Sequence, residues 1–141
     1  MLAPSGRLAL SVYSAIEHTP AARALADALD RHLGPGASAI KRSEHVFADA
    51  DALCQLITGA GFRDVVLRTV TQTIRFTSPR EYVRLQIGAT PMADLVAGMD
   101  GIRRQALVDA IAADLIAALT SFSERGELAS PQEAYVVLAR R

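Results

Sequence analysis

The chain has 141 residues, half of them hydrophobic, which is enough for a core in one domain spanning 1–141. Lys plus Arg equals Asp plus Glu at 15 each, so the formal net charge is zero and there is no basic footprint for nucleic acid. No apolar run reaches membrane-spanning length and no leader-type segment is evident; Cys54 is the only cysteine, which excludes an internal disulfide and suits a reduced, cytoplasmic setting.

Pro4 and Gly6 mark a turn, and Leu8–Tyr13 follows as an almost wholly apolar run, expected to be a strand covered on both faces. Thr19 is a good N-cap and Pro20 a good first helical residue. The helix carries Leu25, Leu29 and Leu33 on one face and stops at Gly34-Pro35-Gly36. Residues 37–47 lack a period and read as a loop or short helix. A second helix starts near Asp49, with a stripe of Leu53, Leu56 and Ile57, and ends at Gly59–Gly61. In the strand predicted over Asp64–Phe76, Val66, Val70, Ile74 and Phe76 alternate with Thr69, Thr71, Thr73 and Arg75, as in a sheet-edge strand with one wetter face.

Ser78-Pro79-Arg80-Glu81 reads as a capping box opening a helix through Tyr82, Val83, Leu85 and Ile87. A short apolar helix is expected over Pro91–Met99, and a long one over Gly101–Phe122 with a broad stripe from Leu107 to Leu119. Gly126–Pro131 reads as a turn before a last strand, Glu133–Ala139. The order predicts an α/β domain in which helices join the first two strands in a parallel crossover.

Three segments in this order resemble the C-terminal half of class I S-adenosylmethionine-dependent methyltransferases, of the ubiquinone/menaquinone-type small-molecule group. Leu2-Ala3-Pro4-Ser5-Gly6-Arg7-Leu8 is similar to that family's "L-x-P-G-G-x-L" turn into its fifth strand, with Ser5 in place of a glycine. Ala60-Gly61-Phe62-Arg63-Asp64-Val65 resembles its "A-G-F-x-x-V" approach to the sixth strand, and Ala134–Arg140 its antiparallel seventh. The resemblance implies a small mixed three-stranded sheet, ordered first-last-middle with the last strand antiparallel, as half of a Rossmann-like fold. It implies an acceptor-side half that lacks the S-adenosylmethionine site and is not competent alone. No cofactor-binding residue is therefore assigned.

Ligands of open α/β sheets bind beyond the carboxyl ends of strands, so Ser14, Glu17 and His18 are candidate substrate-binding residues for a small-molecule acceptor. His18 suits a general base or an acceptor-orienting group; the plain alternative is a solvated loop leading into the Thr19 cap. His32 suits a helix C-terminus, His45 has no spaced ligand partner, and Cys54 lies beside an apolar stripe, so no metal site is predicted. Arg80, Arg84, Arg103 and Arg104 are interspersed with Glu81 and Asp100 and read as a solvated face. Met92 and Met99 flank a short apolar helix that the resemblance implies as a substrate cover; the plain alternative is core or dimer packing. The competing function is a non-catalytic binding or assembly module. Either way, the Leu8–Tyr13 edge calls for a homodimer or a complementary chain.

Overall fold

The computed structural model describes residues 6–141 and builds its sheet around the last strand. The turn expected at Pro4 and Ser5 lies outside the described residues. β4 (Glu127–Arg140) runs between β1 (Arg7–Tyr13) and β2 (Arg63–Phe76) and is antiparallel to both. The order first-last-middle is thus the one expected. β3 (Ser123–Glu124) adds a fourth strand by pairing with the start of β4, and every hydrogen-bonded pair is antiparallel, so the sheet is neither three-stranded nor mixed. β1 and β2 run parallel to one another without touching.

The expected turn over Gly126–Pro131 is instead a two-residue hairpin loop. Arg125 and Gly126 have φ of +52° and +87°, the pair of positive values that a type I′ turn requires. β4 then continues through Pro131. Beside Pro131 only β2 pairs with it, through Thr73, because β1 stops at the Tyr13–Ala134 pair. A proline that lacks an N–H is tolerated at such a one-sided position.

Residues opposite one another in an antiparallel pair share a face. Leu10, Val137 and Leu67 form one such row, and α3 (Ala50–Gly59) covers it with Leu53 and Ile57. Asp49 opens α3 by accepting hydrogen bonds from the Asp51 and Ala52 amides. Leu56, expected in the stripe, is 60 % exposed. The next row, Ala9, Leu138 and Val66, lies on the opposite face with none of the described residues over it: Leu138 is 53 % exposed and Val66 48 %. The strand expected to be covered on both faces is therefore half-covered, and Leu8–Tyr13 alternates between α3 and open surface.

Among the described residues, that second face is covered only at the far end of β2. There Ile74, Phe76 and Leu128 pack under α1 (Pro20–Leu33), α4 (Pro79–Ala89), the 3₁₀ segment Pro91–Val96 and α5 (Gly101–Ala118). Leu25, Leu29, Met92, Ile111 and Leu115 are fully buried in this cluster. Met92 is thus core. α5 is shorter than expected, because Thr120–Phe122 forms a separate 3₁₀ turn, and its stripe is narrower: Ile116 points to solvent. The Arg31 guanidinium (2.7 Å) and His32 Nε2 (2.9 Å) both meet Asp114, holding the end of α1 against α5.

The capping box at α4 is shifted by one residue. The Ser78 hydroxyl oxygen accepts from the Glu81 amide, while Glu81 accepts from the amide and hydroxyl of Thr77. Those Thr77 hydrogen bonds hold the Glu81 carboxyl below the ordinary carboxylate value. Among the described residues no helix is long and apolar enough to cross a membrane.

Candidate functional site

β1 and β2 run in the same direction, and their carboxyl ends open into one cavity. Tyr13, the last residue of β1, and Ile74 and Phe76, at the end of β2, form its floor. Thr19 and Ala22 come from the start of α1, Tyr82, Gln86 and Thr90 from α4, and Gln132 from β4. The remaining wall is Lys41, Glu44 and His45, from α2 (Ala39–Ser43) and the turn after it. The cavity holds about 270 Å³. A groove of about 260 Å³, lined by Ser11, Val70 and Val136 on the uncovered sheet face, adjoins it at Tyr13, Ile74 and Gln132. A shallower hollow of about 480 Å³ lies between β1 and residues 43–47, where Val46 and Phe47 are exposed.

A five-residue helix does not hold itself together; α2 is fixed from every side. The Asp30 carboxylate accepts from the Gly36 amide and from the amide and hydroxyl of Ser38, which precedes α2. The Arg42 guanidinium reaches back to Asp27 at 2.7 Å. Tyr135, in β4, donates its hydroxyl to the Ala48 carbonyl at 3.0 Å. Inside the cavity wall the buried Lys41 ammonium donates to Glu44 at 2.7 Å and to Gln86 at 2.9 Å, linking α2 to α4.

His45 is buried, and its ring stacks on Tyr13 with centroids 5.2 Å apart. Its Nδ1 lies 2.7 Å from the Ser14 carbonyl oxygen. A carbonyl only accepts, so Nδ1 carries the proton, and in the neutral ring Nε2 carries the lone pair. Tyr82 is buried beside it and meets Phe76 edge-on. Burial, reinforced by the nearby Glu44 carboxylate and Tyr13, pushes the Tyr82 phenol well above its usual value, so it remains a donor at physiological pH. The wall thus offers one fixed acceptor, one fixed donor and a self-neutralised ion pair among aromatic faces.

The residues expected to bind substrate are placed otherwise. Ser14 is fully buried; its hydroxyl donates to the Glu133 carbonyl (3.4 Å) and its own carbonyl orients His45. Glu17 and His18 lie in the 3₁₀ turn Ile16–His18. His18 is largely exposed and pairs with Glu133 at 2.7 Å, and Glu17 faces a surface hollow beside α5. None of the three lines the cavity wall with its side chain. Thr19 does, and its hydroxyl accepts from the Glu133 amide rather than capping α1.

The arginines expected on a solvated face are paired there: Arg80 with Asp109, Arg103 with Asp100, and Arg104 with the Val96 carbonyl. Cys54 is a half-buried free thiol. Among the described residues no cluster of three His, Cys, Asp or Glu is placed to hold a metal ion.

Asp30 couples the site to pH. Hydrogen bonds from the Ser38 amide and hydroxyl, chiefly, hold its carboxyl below the ordinary carboxylate value. A lowered native value means that Asp30 stabilises the fold at neutral pH, above its unfolded-state value near 4, and that this contribution disappears as pH falls through the native value. Asp30→Asn should therefore flatten the acid limb of stability against pH while changing little of its shape above pH about 6. Urea unfolding at stepped pH reads this, and an acid limb identical to the parent's would remove Asp30 from it.

No protein-family model matches the chain, and no curated protein matches it in sequence.

Proposed function

We propose that this chain is the acceptor-side half of an S-adenosylmethionine-dependent small-molecule methyltransferase, with the cavity at Tyr13, His45 and Tyr82 as the acceptor site. The observation that carries the reading is topological. A last strand lies antiparallel between two strands of common direction, and the cavity opens at the carboxyl ends of those two, where α/β sheets bind ligands. The helices α1 and α3, which lie between β1 and β2 in the chain, support it as the connection that joins two strands of common direction.

The described residues do not fit a cofactor site. Such a site needs a glycine turn leading from a strand into a helix, so that backbone can approach the ligand. No described glycine stands between the end of a strand and the start of the next helix; Gly34, Gly36 and Gly61 follow helices, and Gly126 lies in a hairpin. In this reading the cofactor arrives on a complementary half, in a longer chain or in a second one, and these residues supply the acceptor pocket.

Calorimetric titration with S-adenosylmethionine should give no micromolar binding to the 141-residue chain; micromolar binding would overturn the reading. DNA sequence upstream of Met1 or in a neighbouring gene should encode a strand followed by a glycine-rich turn. Finding neither would overturn it equally.

One observation favours a second reading, an assembly module that dimerises through its first strand. The outer edge of β1 has no strand partner among the described residues, and the exposed Val46 and Phe47 flank it. Sedimentation equilibrium separates the two: a self-associating chain favours the module, and a strict monomer at high concentration ends it.

A further inference from the structure

We propose that His45 makes the cavity selective for an uncharged molecule of about one ring that carries a hydroxyl group, whose O–H donates to Nε2. This rests on the reading of the cavity as the ligand site and states what the ligand must offer.

The imidazole is committed on one side only. The Ser14 carbonyl takes Nδ1–H at 2.7 Å, and Tyr13 holds the ring plane by stacking. Among the described residues no hydrogen bond reaches Nε2, although His45 is only 6 % exposed and lines the cavity. Among the described residues the one enclosed side-chain polar atom without a partner is Ser123 Oγ, so Nε2 is open to the cavity, where it can take a donor from a ligand. Tyr82 lines the same cavity, and its hydroxyl, a donor, has no hydrogen-bond partner among the described residues. A ligand hydroxyl answers both, because it donates one hydrogen bond and accepts another.

Charge sets the second condition. Among the described residues, the only fully ionic groups in the wall are Lys41 and Glu44, and they neutralise each other at 2.7 Å. A carboxylate or ammonium entering here would lose its hydration without gaining an unspent counter-ion. Size sets the third. About 270 Å³ exceeds the roughly 150 Å³ that suffices for benzene, leaving room for a ring with substituents between Tyr13, Phe76 and Tyr82.

The test is titration of the 15N-histidine-labelled chain with phenol, cyclohexanol, anisole and benzoate, followed by the His45 ring nitrogens in long-range 1H–15N spectra. Phenol should bind with a dissociation constant on the order of 1 mM, about tenfold tighter than anisole or benzoate, and should move Nε2 more than Nδ1. Cyclohexanol shows whether the ring must be flat; it should also outbind anisole. His45→Asn keeps a donor for the Ser14 carbonyl but has no acceptor at the Nε2 position, and should lose the preference for phenol over anisole. His45→Gln places an oxygen near Nε2 and should retain part of it.

The inference is overturned if phenol and anisole bind equally, if benzoate binds best, if no probe binds, or if Nε2 stays unmoved in the parent chain. Those results leave the methyltransferase-half reading intact. Micromolar S-adenosylmethionine binding alongside a normal phenol response would end that reading and leave this inference standing.

Discussion

Leu115→Ala should lower the unfolding free energy by about 3 kcal/mol, while Ile116→Ala, one residue away, should change it by less than about 0.5 kcal/mol. Leu115 is fully buried among α1, α4 and α5, where truncation leaves a cavity that backbone hydrogen bonds prevent from closing. Ile116 is 53 % exposed on the same helix. For a domain of this size the first change should take roughly 6–12 °C off the melting temperature. Calorimetry on both variants decides it, and equal losses would mean that α5 is rotated from the orientation described.

Lys41→Met should cost about 2–3 kcal/mol, and adding Glu44→Gln should restore most of it. The Lys41 side chain is 7 % exposed, and its ammonium donates hydrogen bonds to Glu44 and Gln86. Removing it strands a carboxylate that is itself 28 % exposed, which keeps the loss below that of a fully enclosed pair. Neutralising that carboxylate removes the penalty. A double-mutant cycle by urea denaturation gives the coupling, and a value under about 0.3 kcal/mol would reduce the pair to an ordinary surface contact. The same substitution cuts the link from α2 to α4, so it should also broaden the His45 ring resonances.

These two residues show where local pattern carries and where it stops. Ser78 is legible as a cap because a cap is a contact over two or three residues, and it accepts the Glu81 amide as expected; Asp49 and Asp100, at the expected helix starts, accept amide hydrogen bonds in the same way. The strand order was also legible, through resemblance in three short segments. Ile116 and Leu56 look as apolar as their buried neighbours, and only the packing of α5 and α3 against particular partners separates them. β4 starts six residues before its expected start because Pro131 reads as a breaker; nothing local reveals that β1 ends short of it.

The site was the least legible part. His45 takes its orientation from the carbonyl of Ser14, 31 residues earlier, and a backbone carbonyl leaves no mark on residue type. The loop after β1 was legible and the placement of its side chains was not: Ser14 meets His45 through its backbone carbonyl, while Glu17 and His18 turn outward on a 3₁₀ turn. One signal was available. Lys41 and Glu44 stand three apart, the spacing of an ion pair on one helical face, in a segment bracketed by Ile40 and Val46. Read as a buried pair, they would have drawn attention to the histidine beside them.

The place of β4 in the sheet also governs the order in which the molecule can form. Among the described residues β1 has one partner, and those that pair with Arg7–Tyr13 are Ala134–Arg140. Every contact in that ladder closes a loop of more than a hundred residues, the kind of closure that slows folding most. α1, α4 and α5 can assemble around Leu115 before it, and the β3–β4 hairpin can form unaided. On a ribosome the first strand emerges early and waits, with Leu8, Leu10 and Val12 uncovered, until the last is made. Folding should therefore finish with insertion of β4, and the amides of Ala134–Arg140 should be among the last to gain protection in pulsed hydrogen exchange.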